Sequence, residues 1–130
     1  MRDLEELARY AKEKGITLIG ITPPYHSSLN EAIHSSEHFE YWKTFSQRSF
    51  VSWFESLGIN YFDFSKVNSF SGNETEFVDG FHSSEPAHAR MLITMMKSQK
   101  IRDQLTEIDL ISIKSRLNNA TSLQLYKNEF

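Results

Sequence analysis

The chain has 130 residues, 39% of them apolar and 24% charged, and no cysteine. That length gives room for one domain, and a formal charge of −3 excludes a strongly basic nucleic-acid footprint. The lack of cysteine excludes disulfides, thiolate metal sites and a cysteine nucleophile. No apolar run approaches the roughly 20 residues that a membrane-spanning helix needs. The opening Met1-Arg2-Asp3-Leu4-Glu5-Glu6 reads as too acidic for a secretory signal, so a cytoplasmic location is expected. Ten Phe, five Tyr and two Trp supply enough large apolar side chains to argue against disorder.

Leu4, Leu7, Ala8 and Ala11 share a helical face, which predicts a helix from about Leu4 to Lys14. Asp3 and Glu6 have capping-box spacing, and Gly15 suits the position after the helix. Ile16-Thr17-Leu18-Ile19-Gly20-Ile21 is a continuous apolar run stopped by Pro23-Pro24. It predicts a strand buried on both faces, as in a parallel sheet covered by helices. Ser28 and Glu31 form a second capping-box pattern. Helix is expected from about Leu29, broken near Thr44-Phe45-Ser46, resumed through Phe50, Val51, Phe54 and Leu57, and ended by Gly58. Phe39, Trp42, Phe45, Phe50, Trp53 and Phe54 read as the face that packs on the sheet.

Ile59-Asn60-Tyr61-Phe62-Asp63-Phe64 predicts a second strand, and the polar stretch from Ser65 to Val78 a loop. A further helix should open at Ser84-Glu85-Pro86, with Pro tolerated in the first turn and Ala87, Met91, Leu92, Met95 and Met96 facing inward. Residues 98–130 read as a polar extension, partly helical, with Leu123 and Leu125 alternating as in an edge strand. His-Ser-Ser occurs at 26–28, 34–36 and 82–84, and the serines read as helix-start residues rather than a repeat. The alternation of helix and strand predicts an α/β layer with parallel strands. Two strands make a small sheet, so the chain is expected to be part of a larger α/β domain.

Three groups of residues could carry chemistry. Asp79-Gly80-Phe81-His82 places a carboxylate three residues before an imidazole, across a turn that Gly80 should permit. Such a carboxylate fixes the tautomer of the ring and stabilises its charged form. Tyr25 and His26 follow a strand and Pro23-Pro24, at the edge of an α/β sheet where ligands bind, and are candidates to line a substrate cleft. His34-Ser35-Ser36-Glu37-His38 has His-x-x-Glu-His spacing, which on one continuous helix could hold zinc with Glu37 as base.

The stretch Phe77-Val78-Asp79-Gly80-Phe81-His82-Ser83-Ser84-Glu85-Pro86-Ala87-His88 resembles the last motif block of the SGNH (GDSL-like) hydrolases. The segment Gly15-Ile16-Thr17-Leu18-Ile19-Gly20-Ile21-Thr22-Pro23-Pro24-Tyr25 and the strand Asn60-Tyr61-Phe62-Asp63-Phe64 are similar to the strands that precede that block. The resemblance covers residues 1–97 and implies the C-terminal part of a three-layer, flavodoxin-like α/β domain. It implies His82 as general base for a serine nucleophile and Asp79 as the residue that orients it. The implied substrate is an ester, such as an acetylated glycan or a lipid, with no cofactor. None of Gly15, Gly20, Gly58, Gly72 and Gly80 lies in a Gly-Asp-Ser or Gly-x-Asn-Asp pattern, so the nucleophile and oxyanion-hole blocks of that family are absent. The expectation is a chain inactive alone, needing a missing N-terminal half or a partner. A non-catalytic, self-associating interaction module is the alternative, and a zinc hydrolase built on His34, Glu37 and His38 a third.

Overall fold

The structure is a computed structural model, and it describes residues 2–37 and 39–120. It is a mixed helix and strand fold with a two-stranded parallel sheet. The described residues fall into two compact units, one within Met1–Pro23 and Ile33–Asp63, the other within Pro24–Ala32 and Phe64–Phe130. No described helix is long and apolar enough to cross a membrane.

In the first unit, helix α1 (Arg2–Glu13) buries Ala8 and Ala11. It starts before Asp3, so Asp3 and Glu6 lie inside its first turns and not in a capping box. Gly15 follows at φ +67°, the left-handed conformation that glycine adopts at least cost. Strand β1 (Ile19–Thr22) pairs in parallel with β2 (Asn60–Asp63), with Gly20 beside Tyr61 and Ile21 beside Phe62. Helices α3 (Phe39–Ser46) and α4 (Arg48–Ser56) lead into β2, and the expected break falls at Gln47 between them.

Helix α4 covers one face of the sheet. The ring of Phe50 meets Tyr61 edge-on at 5.6 Å, and Phe54 stacks on Tyr61 at 4.7 Å. A Cβ on Gly20 would come 2.9 Å from the Tyr61 ring, so only glycine lets that ring lie flat on β1. The Tyr61 hydroxyl is hydrogen-bonded to Thr22, and burial pushes its phenol up. The expected aromatic face is therefore made by Phe50 and Phe54, while Phe39 packs on His34 at 4.4 Å. The side chains of Trp42 and Phe45 lie outside the described set.

The expectation of a strand buried on both faces is corrected here. Ile19 is 41% and Ile21 47% exposed. Their side chains share the face opposite Gly20 and Thr22, by the two-residue period of a strand. Among the described residues the sheet has two strands, with the α4 aromatics on the other side, and that face is left exposed.

In the second unit the core gathers on Phe64, Val67, Phe70, Ala87, Met91, Met96 and Ile101, all buried. Phe64 and Phe70 meet edge to face at 5.7 Å. The segment read as loop contains two short 3-10 turns, Val67–Phe70 and Glu74–Glu76. Helix α5 (Glu85–Met95) starts where Ser84 and Pro86 predict. The extension is helical through α6 (Gln99–Gln104) and α7 (Leu110–Asn119), and α7 packs on α5. Asp109 caps α7 by accepting the N–H groups of Ile111 and Ser112. The strand expected around Leu123 and Leu125 lies outside the described residues.

Candidate functional site

The site is built on a tight antiparallel loop before α5. Phe77 and Ser83 form an antiparallel bridge, the Val78 N–H donates to the His82 carbonyl at 2.8 Å, and the Ser84 N–H donates to the Glu76 carbonyl at 2.8 Å. These bonds bring the two arms together and leave Asp79, Gly80 and Phe81 at the tip. Asp79 folds back over the turn. Its Oδ1 accepts the N–H groups of Phe81 at 2.7 Å and His82 at 2.8 Å. A short carboxylate that accepts backbone N–H groups two and three residues on is the usual way Asp stabilises such turns.

The second carboxylate oxygen, Oδ2, lies 2.6 Å from Nδ1 of His82. At that length the bond is charge-assisted. An ionised carboxylate only accepts, so Nδ1 carries the hydrogen, and in the neutral ring Nε2 keeps its lone pair. Among the described residues Nε2 has no hydrogen-bond partner, and the His82 side chain is 77% exposed. This is the geometry of an oriented imidazole base with an open proton-accepting atom.

Asp79 is held from its ordinary 3.8 down to about 2, first by the His82 ring, then by the N–H groups of Phe81 and His82. A depressed acid contributes stability above its unfolded value and loses it as pH falls through its folded one. The turn should therefore stay closed through mild acid and open only as pH drops from about 4 to about 2. A carbon-13 titration of the Asp79 carboxyl should show a midpoint of about 2, moving upward in His82→Ala. A midpoint near the ordinary value in the intact protein would contradict the geometry.

Gly80 does not serve the turn as expected. Its backbone stays out of the left-handed region, where Gly15 and Gly58 are found. Its bare Cα faces Leu29, whose Cβ would be 3.5 Å from an added methyl. Its carbonyl accepts the N–H of His26 at 3.2 Å. That bond joins the two sequence candidates, because His26 opens helix α2 (Ser27–His34). The helix starts at Ser27 with His26 before it, so Ser28 and Glu31 do not form its capping box. Tyr25 is buried and meets Phe81 edge-on at 6.2 Å, and the His26 ring meets Phe77 edge-on at 5.8 Å. Tyr25, His26, Asp79 and His82 thus gather around one loop, which also carries Val78 at 68% and Phe81 at 61% exposure.

His34 and Glu37 of the zinc alternative do not fall on one helix. Helix α2 ends at His34, so the continuous helix that His34 and His38 require is missing, and His38 itself lies outside the described residues. Among the described residues no group of three or more His, Asp or Glu side chains could hold a metal ion. The His-Ser-Ser at 34–36 sits at the end of α2, unlike the other two, which sit at helix starts.

Glu76 and Arg90 were not singled out by the sequence, although they fix the base of the loop. The Glu76 side chain is 5% exposed, with Oε1 accepting from Arg90 Nε at 2.9 Å and Oε2 accepting the Asn73 N–H at 3.1 Å. Asn73 and Glu76 form a capping box around the 3-10 turn, so the Asn-x-x-Glu spacing was the available signal. Glu74 had no local signal, because its partner Ser27 is 47 residues away.

No protein-family model, no curated protein sequence and no solved structure matches the chain.

Proposed function

We propose that this chain is the catalytic-base portion of an SGNH-like serine esterase or O-acyl-transfer protein, of flavodoxin-like α/β type. His82 is the general base and Asp79 the residue that orients it. The observation that supports the reading is the 2.6 Å contact between Asp79 Oδ2 and His82 Nδ1, with Nε2 left open. In this role Nε2 accepts the proton of an attacking serine hydroxyl and returns it to the leaving alcohol. The nucleophile comes from a polypeptide outside these 130 residues, because no Gly-Asp-Ser pattern is present in them. The substrate class is an ester, such as an O-acetylated glycan or a lipid. The exposed Val78 and Phe81 would give its acyl group apolar contact.

The test is hydrolysis of p-nitrophenyl acetate and of an acetylated oligosaccharide by the protein purified natively from its source with any bound polypeptide retained. Hydrolysis that disappears in His82→Ala supports the reading. No hydrolysis, or equal hydrolysis in the variant, contradicts it.

The exposed apolar face of Ile19 and Ile21 favours a second reading, a non-catalytic module that associates with itself. It predicts a sedimentation mass that rises with protein concentration, and a strictly monomeric chain would contradict it.

A further inference from the structure

A second imidazole in the same unit stands between a hydroxyl and a carboxylate. Nε2 of His26 lies 3.3 Å from Glu74 Oε2, which also accepts the Ser27 N–H at 3.1 Å. On the other side of the ring, Nδ1 lies 2.8 Å from Ser28 Oγ and accepts the Ser28 N–H at 3.2 Å. A nitrogen that accepts an N–H carries a lone pair, so the ring hydrogen sits on Nε2 and points to Glu74. The Ser28 hydroxyl therefore donates to Nδ1. Ser28 is exposed, while the His26 ring is backed by Phe77 and only a third exposed.

We propose that Ser28 is an acyl-acceptor site for small activated esters, with His26 as its base and Glu74 as the group that holds His26. Ser28 Oγ forms a bond to the carbonyl carbon as its proton passes to Nδ1. The carbon–oxygen bond to the leaving group then breaks, and that oxygen takes the proton back from Nδ1. The products are an acyl ester on Ser28 and the free alcohol, with no net change of charge or oxidation state. Glu74 stabilises the transient imidazolium through Nε2.

The first turn of α2 also sets the limit of this chemistry. The N–H of Ser27 goes to Glu74, that of Ser28 to Nδ1, and those of Leu29 and Asn30 to the His26 carbonyl at 3.0 and 3.1 Å. All four donors of the turn are taken, so none is left to stabilise an oxyanion. The site takes an acyl group from an activated donor once and keeps it, instead of turning over. It uses neither Asp79 nor His82, so it stands whether or not those two residues serve an esterase.

The test treats the full chain with p-nitrophenyl acetate and maps acetyl groups on its peptides by mass. His26→Asn removes the base but keeps a side-chain acceptor that caps helices well. Ser28 should be acetylated about 10²-fold faster in the native chain than in His26→Asn, the usual size of a positioned base. Glu74→Gln should slow it. Equal rates in the native chain and His26→Asn, or acetyl groups spread evenly over the exposed serines, would overturn the proposal.

Discussion

In the natively purified protein, His82→Ala lowers ester hydrolysis about 10⁶-fold, the cost of removing the base of a serine triad. Asp79→Asn lowers it about 10⁴-fold, because an amide can donate to Nδ1 and so favours the wrong tautomer. Both side chains are more than half exposed, so their surface pairing contributes little to stability. Asparagine at position 79 also keeps an oxygen for the N–H groups of Phe81 and His82 that close the turn. The melting temperature should therefore barely move in either variant. Loss of hydrolysis with an unchanged melting curve supports a catalytic role. Loss of both together would make the pair a structural turn.

The second large effect is on stability. Arg90→Ala should destabilise the fold by about 3 kcal/mol, because it leaves the carboxylate of Glu76 buried without its cation. Arg90 is itself about a third exposed, which keeps the expectation at the lower end of the range for broken buried pairs. The Asn73 N–H remains as a partner for Oε2, and it does not neutralise the charge. Glu76→Gln in the same background should recover most of the loss, since the amide oxygen can still accept from Asn73. Urea denaturation of the two variants measures both steps. A loss under about 1 kcal/mol in Arg90→Ala would show that the pair behaves like a surface salt bridge.

Local chemistry made much of the fold legible. Gly15 and Gly58 mark the ends of α1 and of the turn after α4 because their positive φ excludes most other residues. Pro86 and Ser84 mark the start of α5 for an equally local reason. The parallel pairing of β1 and β2 followed from the alternation of helix and strand. The burial of β1 was not legible, because an apolar run specifies a strand but not how many layers cover it. Ile19 and Ile21 show that difference.

The site follows the same division. The Asp79 to His82 bond spans three residues, so its spacing could be read directly. The contacts of Gly80 with His26 and of Glu74 with Ser27 join distant parts of the chain, and nothing near either residue announces them. His34 and Glu37 show the reverse case. Their spacing was suggestive, and the end of α2 at His34 removes the helix that the spacing needed.

The account rests on Asp79 fixing His82 with its hydrogen on Nδ1 and its lone pair on Nε2. Nitrogen-15 NMR of the His82 ring reads this directly, at a pH of about 8.5 where ordinary imidazoles are neutral. The account predicts a protonated Nδ1 and a bare Nε2, with that preference lost in Asp79→Asn. A hydrogen on Nε2 of His82 in the native protein would contradict it.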